Sequence, residues 1–418
     1  MPEAPLISSG SGKAPGGPGW YVLNAAEAAW WRIPGRGAVT DFQGHEGANR
    51  LGVELQAIAP GEVAYAYHAT AAQVDVLVLQ GECLLLVEEQ ERTLGPWDVA
   101  HLPPQVAHAL IGAGDTHCLA VVLVARAHED TIQPRPSPLA ERHGADLTHA
   151  QTTGSPEGVR CPALDLDPGL ARPARPAPAT PGRGEATLGP AGQGQAPTNA
   201  GWFVLDARDA RWRENASFGC SGRVEGEGEA RFHQLGFNLS RLEPGRSNCR
   251  YHREALEEGF LVLHGEATLL VEEQERPLRA WDYVHCAPGT DHVLVGAGSG
   301  PCLILALGER AEDQGLLYPR SELAARYNAS AAASTPNPAR PTPPTRRPRT
   351  FPARLPSRSP PSSRPRPGGS WRSSSTPSPT SGGSSSLLPV CASLPPHGAR
   401  KGSRTADKAN LQHALPIS

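Results

Sequence analysis

Residues 244–266 read PGRSNCRYHREALEEGFLVLHGE, and residues 281–292 read WDYVHCAPGTDH. The first stretch runs from a Pro-Gly turn through a charged segment into the apolar run Phe260-Leu-Val-Leu263. The second ends on His292, three positions after Gly289. Short runs rich in Val, Leu and aromatics follow one another here: Phe260 to Leu263, Ala267 to Glu273, Tyr283 to Ala287, His292 to Val295 and Cys302 to Leu307. Gly- or Pro-bearing turns such as 296–301 separate them. Closely spaced short strands without long helical periods predict an antiparallel sandwich or barrel.

The same text occurs earlier in the chain. LVLQGE (77–82) matches LVLHGE (261–266), LLVEEQER (85–92) matches LLVEEQER (269–276), and Trp97-Asp98 matches Trp281-Asp282, all at an offset of 184. GWYVLNAAEAAWWR (19–32) matches GWFVLDARDARWRE (201–214) before a two-residue insertion. Each unit closes on SxLAxR, Ser137 to Arg142 and Ser321 to Arg326, which predicts a short closing helix. The sequence therefore predicts two copies of one domain, over 18–146 and 200–329. Between them, 147–199 is rich in Pro, Gly and Ala and reads as a flexible connector. Residues 330–418, rich in Pro, Ser and Arg, lack the apolar content that offsets ordering entropy, so disorder is expected there. Its composition and its closing QHALPIS also resemble translated non-native DNA, and resequencing the locus tests this.

Of the 39 Lys plus Arg and 42 Asp plus Glu, residues 330–418 hold 13 bases and one acid, which leaves 26 bases against 41 acids in 1–329. An acidic body argues against a nucleic-acid surface. The eight cysteines form no CxxC pair and read as free thiols of a reducing cytoplasm. The first 19 residues contain no apolar leader segment, and no run of about 18 apolar residues occurs, so no membrane association is expected. The Asn-x-Ser triplets at Asn215, Asn238 and Asn328 then carry no glycosylation meaning.

His252, Glu254 and Glu258 share parity with Phe260 and Val262, so a regular strand would turn all of them inward. Two carboxylates facing an apolar interior are destabilising by several kcal/mol unless neutralised, and a divalent cation neutralises both. Two imidazoles, His252 and His292, with two carboxylates suit Fe, Mn, Ni or Zn, with positions left open for a small molecule. The competing reading is an exposed cluster ion-paired to Arg250 or Arg253. The first copy carries His68, Thr70, Val74 and His108 at the equivalent places, so its site is degenerate and one ion per chain is expected. His101 and His285 match across the copies but have the opposite parity, which assigns them to packing.

These two stretches resemble the paired motifs of the cupin superfamily: Gly, about five spacers, His-x-His, three or four spacers, Glu, six spacers, Gly, and then a Gly/Pro turn before a fourth ligand histidine. This chain has Gly245, six spacers, His252-Arg-Glu254, three spacers, Glu258, six spacers, Gly265, and then His292. Glu254 stands for the usual second histidine, Ala287-Pro288-Gly289 for Pro-x-Gly and Gly296 for the trailing Asn. The resemblance implies an all-β fold of two antiparallel jelly-roll-like barrels with short peripheral helices. It covers about 60 per cent of the chain and does not select a subfamily. Cupins include dioxygenases, isomerases and decarboxylases, binding or sensor modules, and storage proteins, so it implies a small-molecule partner without naming a reaction or catalytic residue. Two such barrels can pair within the chain or through a homodimer.

Overall fold

The computed structural model describes residues 1–32, 37–43, 49–126, 132–146, 157–159, 161, 181–215 and 217–336. The fold is all-β and jelly-roll-like, with two short α-helices among the described residues. The strands expected from the apolar runs form, as Glu258–His264, Glu266–Val271, Asp282–Cys286, His292–Ala297 and Cys302–Glu309. Each closing helix forms as well, Pro138–Arg142 and Glu322–Arg326. Ser137 and Ser321 cap them by accepting the N–H of Ala140 and Ala324 at 3.0 and 2.9 Å.

Each copy is two sheets face to face, the jelly-roll-like arrangement expected, without a closed ring of hydrogen-bonded strands. In the second copy a seven-stranded sheet holds Glu258–His264 between Cys302–Glu309 and Asp282–Cys286, and a three-stranded sheet orders Gln274–Arg279, Glu266–Val271 and His292–Ala297. The first copy has eight- and five-stranded counterparts. The hydrogen-bonded ladders end at sheet edges, so closure comes from side-chain packing. One apolar core fills each sandwich: Val74, Val76, Leu85 and Leu110 among others in the first, Phe260, Val262, Leu269 and Leu294 in the second.

Each copy lends one strand from its N-terminal part to the other. Tyr21–Asn24 pairs with Asp282–Cys286 of the second copy, and Phe203–Asp206 pairs with Asp98–Leu102 of the first. Trp20 is accordingly buried in the second core and Trp202 in the first. Between the large sheets lies a third core, shared by Trp30, Phe42, Leu77 and Val121 with Phe232, Phe237, Leu261 and Leu305. At about 25 cal/mol per Å² of apolar surface, such a shared layer binds the halves into one unit.

Two expectations about the flanking segments change. Within the expected connector, Leu188–Ala191 and Gly194–Pro197 form a hairpin matching Leu6–Ser9 and Gly12–Pro15, and Glu157–Val159 adds to Ala29–Arg32. The repeat thus extends upstream: Glu3 and Glu185 make equivalent parallel bridges to Trp20 and Trp202. Within the expected tail, Thr335 bridges to Tyr318. The rest of the tail expectation, 337–418, lies outside the described residues, as does 162–180 of the connector.

Candidate metal centre

His292 begins a strand of the small sheet and Glu258 begins the facing strand of the large sheet, so the two meet across the sandwich. His252 joins them because its backbone pairs with that of His292, N to O at 3.1 Å and O to N at 2.8 Å. The first copy has a continuous strand here, Val63–Ala69. In the second, Ser247 and His252 make only isolated bridges, and the Asn248 side chain accepts the Leu294 N–H at 3.0 Å in place of a ladder bond. Arg246-Ser-Asn-Cys-Arg replaces Glu62-Val-Ala-Tyr-Ala, so polar residues stand where the first copy has Val63, Ala64 and Ala66, and the strand loosens there.

Both imidazoles present the same nitrogen to Glu258. Nδ1 of His252 donates to the Arg250 carbonyl at 2.9 Å, and Nδ1 of His292 donates to the Thr290 carbonyl at 3.0 Å. Each Nε2 is left facing Glu258 Oε2, at 3.4 and 3.3 Å respectively. One donor atom from each of the three residues falls within 4.8 Å of the others, and His292 Nε2 is buried without a hydrogen-bond partner. A backbone carbonyl behind each ligand histidine is the support that fixes a ring for metal coordination. This donor set fits a divalent ion.

The electrostatics are those of a site built for positive charge. Burial opposes ionisation of Glu258, but the His292 and His252 rings outweigh it and hold the carboxyl well below its usual range. Burial likewise opposes protonation of both histidines, and the neighbouring sulfurs, Cys249 for His252 and Cys286 for His292, together with Glu258 raise both well above the usual value.

Glu254 sits apart from this group of three. It lines the same cavity, and its carboxyl is pushed up to about 7, by burial first and by Glu258 second. The parity argument placed it on one strand with His252 and Glu258, but the strand starts at Glu258. Residues 253–255 are instead tied to 317, 289 and 314: Arg253 N–H to the Leu317 carbonyl at 2.9 Å, Gly289 N–H to the Glu254 carbonyl at 2.7 Å and Ala255 N–H to the Gln314 carbonyl at 2.8 Å. The competing ion-pair reading also fails to describe the geometry, because Arg253 pairs with Asp291 at 3.2 Å and Arg250 makes no ion pair among the described residues.

In the first copy the histidines keep the same posture. Nδ1 of His68 and His108 donate to the Ala66 and Val106 carbonyls at 2.7 and 2.8 Å, and the rings lie 4.9 Å apart. Val74 occupies the place of Glu258 and Thr70 that of Glu254, both buried. His108 is pushed down to about 3 by burial and then by His68. His101 and His285 face the shared layer between the copies, as expected. His101 stacks on Phe232 at 3.8 Å and bonds Asp75 at 2.6 Å, and His285 stacks on Tyr21 at 4.8 Å.

A solvent-connected cavity of about 630 Å³ leads to Glu258. Its wall includes Arg213, Arg223, Asn238, Ser240, Arg250 and Tyr318, of which the sequence alone singled out only Arg250, as an ion-pair partner. Their signal was available in the repeat, because apolar or acidic residues stand at several of the matching positions of the first copy.

Residues 238–308 match the family described as Cupin domain. No curated protein matches the chain. Among solved structures, a deletion mutant of Bacillus subtilis oxalate decarboxylase is 12% identical over 69% of this chain and 76% of its own, with a TM-score of 0.45. Protein Ylba from E. coli is 10% identical over 73% and 93%, with a TM-score of 0.45. The putative glyoxylate-induced protein from Pseudomonas aeruginosa is 12% identical over 74% and 92%, also at 0.45.

Proposed function

We propose that this protein, a member of the cupin superfamily with two copies of the fold, holds one divalent metal ion in its second copy and acts on a small metabolite there. His252, Glu258 and His292 hold the ion, and Glu254 closes in as the fourth ligand. The observation that carries this reading is the convergence of two backbone-anchored Nε2 atoms on one buried carboxylate at the base of an open cavity. Fe, Mn, Ni and Zn all suit such donors, and the ion supplies Lewis acidity and open coordination positions. The chain's own contribution is to orient both rings through the Arg250 and Thr290 carbonyls and to line the approach with polar side chains. The domain division, 18–146 and 200–329, belongs to this reading, with the exchanged strands crossing it. So does the assignment of the first copy to structure or partner binding.

Among the described residues no helix is long and apolar enough to cross a membrane, and the seven described cysteines are free. We place the protein in a reducing cytoplasm, with a small molecule rather than nucleic acid or membrane as its partner. Elemental analysis of the purified full chain tests the centre. About one ion per chain is expected, reduced to a trace in Glu258→Ala with the fold retained by circular dichroism. Two ions per chain, or full metal content in that variant, overturns the assignment. The degeneracy of the first copy favours a second reading, a binding or sensor module without turnover. A ligand that raises the melting temperature without conversion, across a panel of small acids and several metals, decides for it.

A further inference from the structure

The cavity above Glu258 carries three arginines, Arg213, Arg223 and Arg250, and none of them makes an ion pair among the described residues. Their neighbours are paired: Arg211 with Glu227 at 2.6 Å, Arg253 with Asp291 at 3.2 Å and Arg310 with Glu225 at 2.8 Å. Burial first holds Arg223 below its usual range; Glu225 favours its charge, and Arg211, Arg310 and Arg213 oppose it. The first copy shows that the fold does not require these arginines. The strand registers match Arg211 opposite Arg223 with Ala29 opposite Asp41, so Trp31, Asp41 and Ala66 stand where the second copy has Arg213, Arg223 and Arg250. Ser221, Asn238 and Ser240 likewise replace Val39, Glu54 and Gln56. At this wall the second copy has cationic or neutral polar residues where the first has the acids Asp41 and Glu54 or uncharged residues.

Charge counting says what this wall receives. With a divalent ion bound, Glu254 and Glu258 are neutralised. The remaining charged side chains of the cavity are then three arginines against Glu214, a surplus of two positive charges. Guanidinium groups recognise carboxylate and phosphate oxygens through paired N–H donors, and a cationic cleft concentrates anions at its mouth. We infer that the ligand of this site is a small acid carrying two negative charges, with one oxygen-bearing group directed to the metal and a carboxylate or phosphate group held by Arg213, Arg223 and Arg250. The inference rests on the metal-centre reading for the first contact and on the arginine wall alone for the second.

Calorimetric titration of the full chain with malonate, inorganic phosphate and neutral malonamide tests it, in Arg213→Gln, Arg223→Gln, Arg250→Gln and the triple variant. Metal content and melting temperature are recorded for each. Malonate or phosphate is expected to bind and malonamide not to. Which of the two anions binds identifies the carboxylate or the phosphate source. At least a tenfold loss of affinity is expected in the triple variant, and a smaller loss in each single one, with metal content unchanged. Equal affinity for malonate and malonamide, no binding of either anion, or anion binding indifferent to all the substitutions overturns the inference. If the wild-type chain takes up no metal, the centre fails separately, and the arginine dependence is read on the metal-free protein with the same outcomes.

Discussion

Val74 stands in the first copy where Glu258 stands in the second: each begins its strand, Val74–Gln80 and Glu258–His264, and each copy carries at the equivalent places a pair of histidines anchored on backbone carbonyls. Within the proposed ligand set the two copies differ at this position and at Thr70 against Glu254.

Restoring the acids should therefore restore a centre. Thr70→Glu combined with Val74→Glu is expected to raise the metal content from one ion per chain toward two. Without metal the buried carboxylates destabilise the first copy by several kcal/mol, and added metal recovers the loss. Elemental analysis and melting curves with and without a chelator check it; unchanged stoichiometry together with no metal-dependent stabilisation counts against the equivalence of the two sites.

Glu257 lies beside Glu258 but points the other way, into the shared layer, where its Oε2 accepts the Arg50 N–H at 2.6 Å. Gln73 holds the matching place in the first copy and bonds Asp75 at 2.7 Å and the Leu235 carbonyl at 3.1 Å. Burial pushes the Glu257 carboxyl up to about 7 from an ordinary 4.5, despite the backbone donors of Arg50 and Leu51. An acid whose folded pKa is raised takes up a proton on folding, so stability is fully present below about 4.5 and is lost as pH rises through about 7. Glu257→Gln should leave stability little changed at pH 4.5 and raise it at pH 8 by about 1–3 kcal/mol. Urea unfolding at the two pH values measures this, and equal effects at both would refute it.

His108 has the opposite pH behaviour. Its folded pKa is about 3 against 6.5, lowered by burial and then by His68. The unfolded chain therefore binds a proton that the folded chain refuses. Stability is fully present above about 6.5 and falls toward about 3, at about 1.4 kcal/mol per pH unit for one group. His285, pushed to about 4 by burial, adds a similar loss. In His108→Asn the dependence of unfolding free energy on pH between 6 and 4 should flatten by about that slope. An unaltered slope shows that the ring is not kept neutral.

Cleavage between 161 and 181 should not separate the halves, because each supplies a strand to the other's sheet and the cores between the large sheets are continuous. Co-expressed 1–161 and 181–336 are expected to purify as one complex, and Trp20→Ala is expected to weaken the second half, not the first, since that ring fills the second core. Size-exclusion chromatography under native conditions reads the association, and two independent monomers would contradict it.

Much of this was legible in the sequence. The repeat, the strand runs and the closing helices follow from apolar runs and aligned residues, which report local structure and burial. Two of the missing pieces depend on where distant segments meet. Tyr21–Asn24 is a good strand in any sheet, and nothing local says that it pairs with Asp282–Cys286. Parity carried His252 and Glu258 to the same place, but the bonds to 289, 314 and 317 take the stretch around Glu254 out of strand geometry, which parity alone does not report. The turns at Glu88-Glu89 and Glu272-Glu273 also escaped, having none of the usual turn residues. Both positions of each turn have positive φ, 46° and 62° in the first and 49° and 58° in the second. Their acidic side chains compensate by accepting backbone N–H groups at Ala107 and Asp291, and the hydroxyls of Tyr67 and Tyr251 accept those of Glu89 and Glu273.

The mutual loan of strands has an evolutionary corollary. Two identical subunits that swap an arm must carry identical centres, since any substitution appears in both. Joined end to end in one polypeptide, the partners mutate independently while the swapped arms keep each obliged to the other. One partner is then free to give up chemistry and become a support, provided that it goes on presenting an edge for its sibling's arm.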